Sequence, residues 1–324
     1  MTTKSKLFLC GLFTILILFG LPWLGGEPIS FSALWSQSPT LDIDHRILWS
    51  LRIPRLLFVV AVGGSLAMLG ASYQILFNNT LAEPYILGIS SAVTLGIVVA
   101  ETFLHLPNTS LGALSIGLCF SLLVTLLLIL SYSWRTGREL ERIVLFGMGL
   151  NFIFSSALFL LLSYRSQTTG GGSLRWLFGN IPWLSLNESL LFLLLTLPLC
   201  AGLWVMGRYL DGLSLGDTVA RTLGFSPTKV RCFLLFVTSL HLTLITSLTG
   251  SIGFLGLVVP HCIRLVFRPA STRLLFVASF IGGALFLGIA DSLSRALLPP
   301  LEFPIGIITT LLGGPLFLYL LWKK

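Results

Sequence analysis

A chain of 324 residues with 55% hydrophobic and only 10% charged side chains is too apolar for a water-soluble domain, where about a quarter of residues carry charge. At about 20 residues per membrane-crossing helix plus short loops, the length fits roughly ten spans, an all-α polytopic membrane protein. The net charge of +8 falls between apolar runs rather than in one stripe, which argues against a nucleic-acid partner.

Taken in order, Lys4 and Lys6 precede a first apolar run over about 7–24. No clean small-x-small cleavage site follows before Gly25 and Gly26, so the run reads as a retained helix. A polar loop reaches Ser50. Arg52 and Arg55 then open a second span over about 54–77, studded with Gly63, Gly64, Ala67, Gly70 and Ala71, the composition of closely packed membrane helices. A polar break at Asn78 to Thr80 leads through Leu81-Ala82-Glu83-Pro84 into a third span over about 84–104. Further spans are expected near 111–132, 143–163, 188–207, 230–249, 252–267, 274–290 and 304–322, the one at 252–267 being short for a crossing.

With the N-terminus inside, fourteen of the twenty Lys and Arg residues fall on the inner side, and six, including Arg52, Arg55 and Arg295, fall outside. This bias places both termini in the cytoplasm. Two connections are long. The outer one, near 166–187, holds Gly170 to Gly172, an expected interfacial helix over Leu174 to Phe178, and the tryptophans Trp176 and Trp183 at headgroup level. The inner one, about 208–229, begins a helix at Asp217, ends it at Gly224 and starts another at Pro227. It is the one cytoplasmic segment long enough to dock a partner.

No GxxxxGK[ST] phosphate loop, HExxH or GxSxG is present, and His45, His105, His241 and His261 are scattered. The five cysteines form no CxxC and read as small core residues. No resident cofactor or metal is implied. Lys, Arg, Asp and Glu are absent from mid-span positions, which weighs against a proton-coupled carrier. The intramembrane polar residues Asn151, Ser155 and Ser163 fall near one helical face. They read either as an interhelical hydrogen-bond stripe or as the wall of a water-filled path.

RIPRLL, NNTLAEPYILGISS, LGDTVARTLG, GSIGFLGLVVPHCIRL and ADSLSRALLPPLEFPIGIITTLLGGPLFLYLL follow one another in the order and spacing of one family. From Arg52 to its end the chain resembles the iron-chelate and cobalamin permeases, the membrane subunits of type II ABC importers. The resemblance implies a single ten-helix permease domain over 1–324 in the inner membrane. It also implies pairing with a second copy as a homodimer, two ABC ATPase subunits, and a periplasmic or lipid-anchored substrate-binding protein, with surrounding membrane lipid. It further implies roles for individual residues. Asn151 and Ser155 line the translocation path, Asn79 and Leu81 form a cytoplasmic gate, and Asp217, Ala220, Arg221 and Gly224 couple to the ATPase. Arg52, Arg55 and Arg295 receive acidic residues of the binding protein. Thr80 stands where the family usually has proline, implying a slightly more flexible turn. Ferric siderophores are the leading cargo, with haem and cobalamin as alternatives. The competing readings are a stand-alone secondary carrier and a membrane-embedded enzyme.

Overall fold

The computed structural model describes residues 11, 13–14, 16–24, 29–30, 43–107, 110–133, 140–169, 177–297 and 301–322. Its elements are all helical: α1 (Ile43–Leu76), α2 (Ile89–Phe103), α3 (Leu111–Ser133), α4 (Leu140–Thr169), α5 (Leu186–Ser214), α6 (Asp217–Thr222), α7 (Pro227–Thr249), α8 (Leu255–Phe267), α9 (Thr272–Ala296) and α10 (Ile305–Trp322). Among the described residues α1, α3, α4, α5, α7 and α9 are long and apolar enough to cross a membrane, while α2, α8 and α10 are shorter apolar helices. The basic residues Lys4, Lys6, Arg135, Arg138, Arg175, Lys323 and Lys324, and residues 174–176 of the expected interfacial helix, lie outside the described residues.

Several helices outrun the apolar windows that announce them. Instead of starting near 54, α1 begins at Ile43 and passes through a π-helical turn at Leu48–Arg52. Arg52 and Arg55 therefore sit inside the helix rather than ahead of it. Likewise α5 runs to Ser214 and α9 to Ala296, taking in Asp211 and Asp291. A charge ends a hydropathy window, but it does not end the i to i+4 hydrogen-bond ladder.

The chain forms two compact units, one of residues 1–71, 181–205 and 254–324, the other of 72–180 and 206–253. In the first, glycines set the helix spacing. A Cβ on Gly63 would overlap the Gly283 carbonyl of α9, and one on Gly70 would overlap the backbone of Gly256 in α8. Gly64 accepts the Phe280 ring in the same way. The expected small-residue packing thus occurs, and backbone-to-backbone approach is what it provides. Phe58 and Phe192 pack with ring centroids 4.5 Å apart, and Ser65 Oγ lies 3.4 Å from Cys200 Sγ.

In the second unit α2 packs against α3 through Gly96 and Gly117, with Val93, Ile97, Ala100 and Ala113 buried around them. On its other side α2 meets α4, where Leu95, Val98, Leu158 and Leu162 share a core. Hydroxyls of α2, α3 and α7 return to their own backbone: Thr94 Oγ1 donates to Ser90 O at 2.9 Å, Thr125 Oγ1 to Ser121 O at 2.8 Å, and Thr243 Oγ1 to Ser239 O at 2.7 Å. Polar side chains are thereby accommodated where water is absent.

Candidate functional site

The connection after α5 is built by backbone punctuation. Gly216 takes φ +105°, open to glycine but strained for other residues, and α6 follows at once. At its end the Phe225 N–H donates to Ala220 O at 3.4 Å and the Gly224 N–H to Arg221 O at 3.0 Å, with Gly224 at φ +89°. This pairing is a Schellman motif, and Gly224 occupies its left-handed position. Pro227 then opens α7 at its first turn, where a missing N–H is harmless. The expected order of start, stop and restart is what the structure shows.

The side chains of that segment divide. Ala220 is fully buried. The Asp217 carboxylate accepts two bonds from Arg231, 2.6 Å from Nη2 and 2.9 Å from Nη1, and Arg231 Nη1 also donates to Tyr132 Oη at 3.0 Å. Both residues thus hold α6 onto α7 and α3. Arg221 and Gly224 face outward. With them stand Leu215, Val219 and Leu223, four residues apart and 68%, 36% and 61% exposed. That apolar ridge escapes hydropathy reading because three leucine-type residues among polar ones raise no window. Only the four-residue spacing marks it.

The turn between α1 and α2 is equally specified. The Asn79 N–H donates to Gln74 O at 3.0 Å and the Asn78 N–H to Ile75 O at 3.1 Å. Asn78, at φ +47°, takes the left-handed position. Asn79 Oδ1 accepts the Leu81 N–H at 2.9 Å, and Asn79 O accepts the Ala82 N–H at 3.1 Å. Leu81 is 43% exposed. Phe77, Asn79, Leu81 and Ile86 face Val144 and Met148 of α4 across a cleft of ≈ 210 Å³. The turn and α4, expected as gate and path wall, are therefore neighbours. One turn further along α4, Asn151 and Ser155 are half-buried while Ser163 is exposed. Around them α4 exposes large apolar side chains, with Phe152, Ile153, Phe159 and Leu160 more than three-fifths exposed.

The third location lies in the first unit and differs from its expectation of exposed charges. Arg52 and Arg55 are buried, at 7% and 3% exposure. Arg55 contacts Asp291 Oδ1 at 2.8 Å through Nη2 and Glu302 Oε2 at 3.2 Å through Nη1, and its guanidinium lies 4.1 Å above the Trp183 ring. Arg295 Nε reaches the other Asp291 oxygen at 3.1 Å, and Arg52 Nη1 donates to Pro22 O at 2.6 Å. Partners supplied by α9, by the segment before α10 and by the segment before α5 draw the guanidiniums inward. An unpartnered charge would have stayed in water. Asp291, Glu302 and Trp183 are the residues that sequence reasoning did not pair with them.

Among the described residues no cluster of His, Cys, Asp and Glu could hold a metal ion.

The FecCD transport family model matches residues 12–323. The chain is 35% identical to the vitamin B12 import system permease protein BtuC of Vibrio cholerae over 99% of its own length and 94% of that protein's. It is also 35% identical to the hemin transport system permease protein HmuU of Yersinia pestis over 96% and 93%. A solved structure of a metal-chelate type ABC transporter in an inward-facing conformation superposes with a TM-score of 0.85 at 27% identity, covering 99% of this chain and 100% of that one. With nearly its whole length matched in sequence and in fold, the chain is a multi-pass membrane permease and belongs to the FecCD transport family.

Proposed function

We propose that the chain is the membrane-spanning permease of an ABC importer, admitting a metal chelate through the inner membrane on the energy of ATP hydrolysed by separate subunits. The observation that carries this reading is the segment after α5. A six-residue helix is anchored by Asp217 and Arg231, and with the residues flanking it presents Leu215, Val219 and Leu223 to solvent, in a sequence lacking a phosphate loop of its own. A short rigid element with an apolar outer ridge fits the cleft of an ATPase subunit. Arg221 and Gly224 belong to that contact, while Asp217 and Ala220 hold its shape.

In this reading the chain works as one permease domain of ten spans with both termini in the cytoplasm. Two copies pair around an axis, and the exposed apolar face of α4 is the surface that fits a second copy. Asn151 and Ser155 then line the path, and Asn79 and Leu81 close its cytoplasmic end. The binding protein docks on the mouth that Arg52, Arg55 and Arg295 organise with Asp291 and Glu302. Because the cluster is buried, its effect is to fix a charged rim rather than to offer three free guanidiniums. The cargo belongs to the class of haem, cobalamin and ferric siderophores, two of which, vitamin B12 and hemin, are carried by the similar permeases. Selection among them lies largely in the binding protein.

The test is co-purification. A tagged chain should retain its ATPase subunits in detergent, and Leu215→Asp with Leu223→Asp should release them while leaving the permease in the membrane. Retention of the ATPase by the double variant would place the contact elsewhere.

A further inference from the structure

The turn that carries Asn79 and Leu81 does not merely lie near α4. Gly88, at φ +80°, brings its backbone so close that a Cβ there would stand 2.9 Å from Asn151 N and 3.2 Å from Gly147 O. From the other side, a Cβ on Gly147 would stand 2.9 Å from Leu87 Cα. The two glycines make reciprocal notches, so the end of the turn and the flank of α4 meet backbone to backbone.

A second tie lies at the far end of α2. Arg165 of α4 grips Glu101 with both nitrogens, at 2.5 Å from Nη1 to Oε2 and 2.9 Å from Nη2 to Oε1. Gly88 meets a residue sixty-three positions on, and Glu101 meets one sixty-four positions on. An offset held nearly constant along α2 means that α2 and α4 run parallel and in register. Leu95 and Val98 pack with Leu158 and Leu162 between the two ties. The turn is itself closed by hydrogen bonds at both Asn78 and Asn79, leaving little slack between its tip and this paired body.

We propose that α2 and α4 move as one lever that carries the turn, with Gly88, Gly147 and the Glu101–Arg165 pair as positioning residues for the gate. The inference rests on the reading of Asn79 and Leu81 as a gate. It deepens that reading by stating what drives them: the gate opens because α4 tilts, and α2 transmits the tilt to the turn without a hinge. Gly147 matters because any side chain there separates the turn from α4. The ion pair matters because it prevents the two helices from rotating apart at the opposite end, where packing alone permits sliding.

The experiment uses the complete complex with its ATPase subunits in lipid nanodiscs, and Leu81→Cys as a reporter. The probe is a membrane-impermeant maleimide, and its labelling rate is compared between the nucleotide-free state and the state trapped with ATP and vanadate. The native background should show a clear ratio of rates between states. Glu101→Gln, Arg165→Gln and Gly147→Ala should each pull that ratio toward one by roughly threefold, the scale on which one partly exposed ion pair shifts an equilibrium. ATP hydrolysis per assembled complex should persist. A purely structural role would lower the yield of complex and leave the ratio intact. Exchanging the charges, Glu101→Arg with Arg165→Glu, should restore the ratio. A ratio unaffected by breaking the pair, or left near one by the exchanged pair, overturns the lever while leaving the gate reading standing. A ratio of one in the native background overturns the gate reading and the lever with it.

Discussion

Gly224 and Asp217 show how two residues of the proposed coupling segment differ in what they do. Gly224 faces open space, with no atom within 4 Å of the position its Cβ would take, yet its φ of +89° is one that other residues adopt at a cost of about 1 kcal/mol or more. A side chain there meets no steric block inside the chain. What changes is the angle at which α6 ends and the surface it offers. Gly224→Glu is therefore expected to reach the membrane at native levels and to bind its ATPase, while uptake per ATP hydrolysed falls severalfold. The check is simultaneous measurement of uptake and phosphate release in proteoliposomes. Unchanged coupling would remove Gly224 from the mechanism. Asp217 acts in the opposite sense, because its carboxylate already faces the buried Arg231. A contact made to a side chain in α7 and relayed to Tyr132 in α3 gives α6 a fixed seat. Arg55 follows the same logic between Asp291, Glu302 and Trp183.

At the scale of elements, the packing of α1 follows from glycines placed where two helix backbones touch. Gly63 meets α9, at the Gly283 backbone and Leu287 Cβ, and Gly70 meets α8, where a larger residue has no soft neighbour to displace, since the opposing atoms are all backbone. Gly70→Leu is expected to destabilise the first unit by several kcal/mol, at or above the usual range for overpacking, and to lower the amount of protein in the membrane sharply. Quantitative immunoblotting of membranes, with Gly20→Leu as a control at a site with no atom within 4 Å of the added Cβ, checks this. Near-native levels of the Gly70 variant would mean that α1 and α8 are not held by that contact.

The same elements mark what could be read in the chain and what could not. Glycine at 224, proline at 227 and the Asn78–Asn79 break carry their own conformational demands, so the ends of α1 and α6 and the start of α7 were legible. The extent of α1, α5 and α9 was not, because Arg52, Asp211 and Asp291 lower hydropathy without breaking a helix. The candidate site residues were legible as positions and less so as orientations. Which way Asp217 or Arg55 points depends on Arg231, Tyr132, Asp291 and Glu302, and the pairings join residues from 14 to 247 positions apart. Charge pairing over such separations leaves no local pattern. The Gly88–Gly147 contact is hidden for the same reason, since each glycine alone reads as ordinary membrane composition.

For the molecule as a whole, three features have one explanation in an importer permease: an apolar ridge beside the anchored helix α6, a hydrogen-bonded turn against α4, and a buried charge cluster at the expected outer mouth. A secondary carrier would need no such ridge and would take its energy from an ion gradient. The most direct measurement is uptake into proteoliposomes containing the chain, ATPase subunits and a substrate-binding protein. Cobalamin, haem and a ferric siderophore are supplied in turn on the binding-protein side, and ATP on the other. Accumulation of one of these chelates is expected to require both ATP and the binding protein, to be blocked by vanadate and to be indifferent to proton ionophores. Accumulation without ATP that collapses when the ion gradient is dissipated would make the chain a secondary carrier instead.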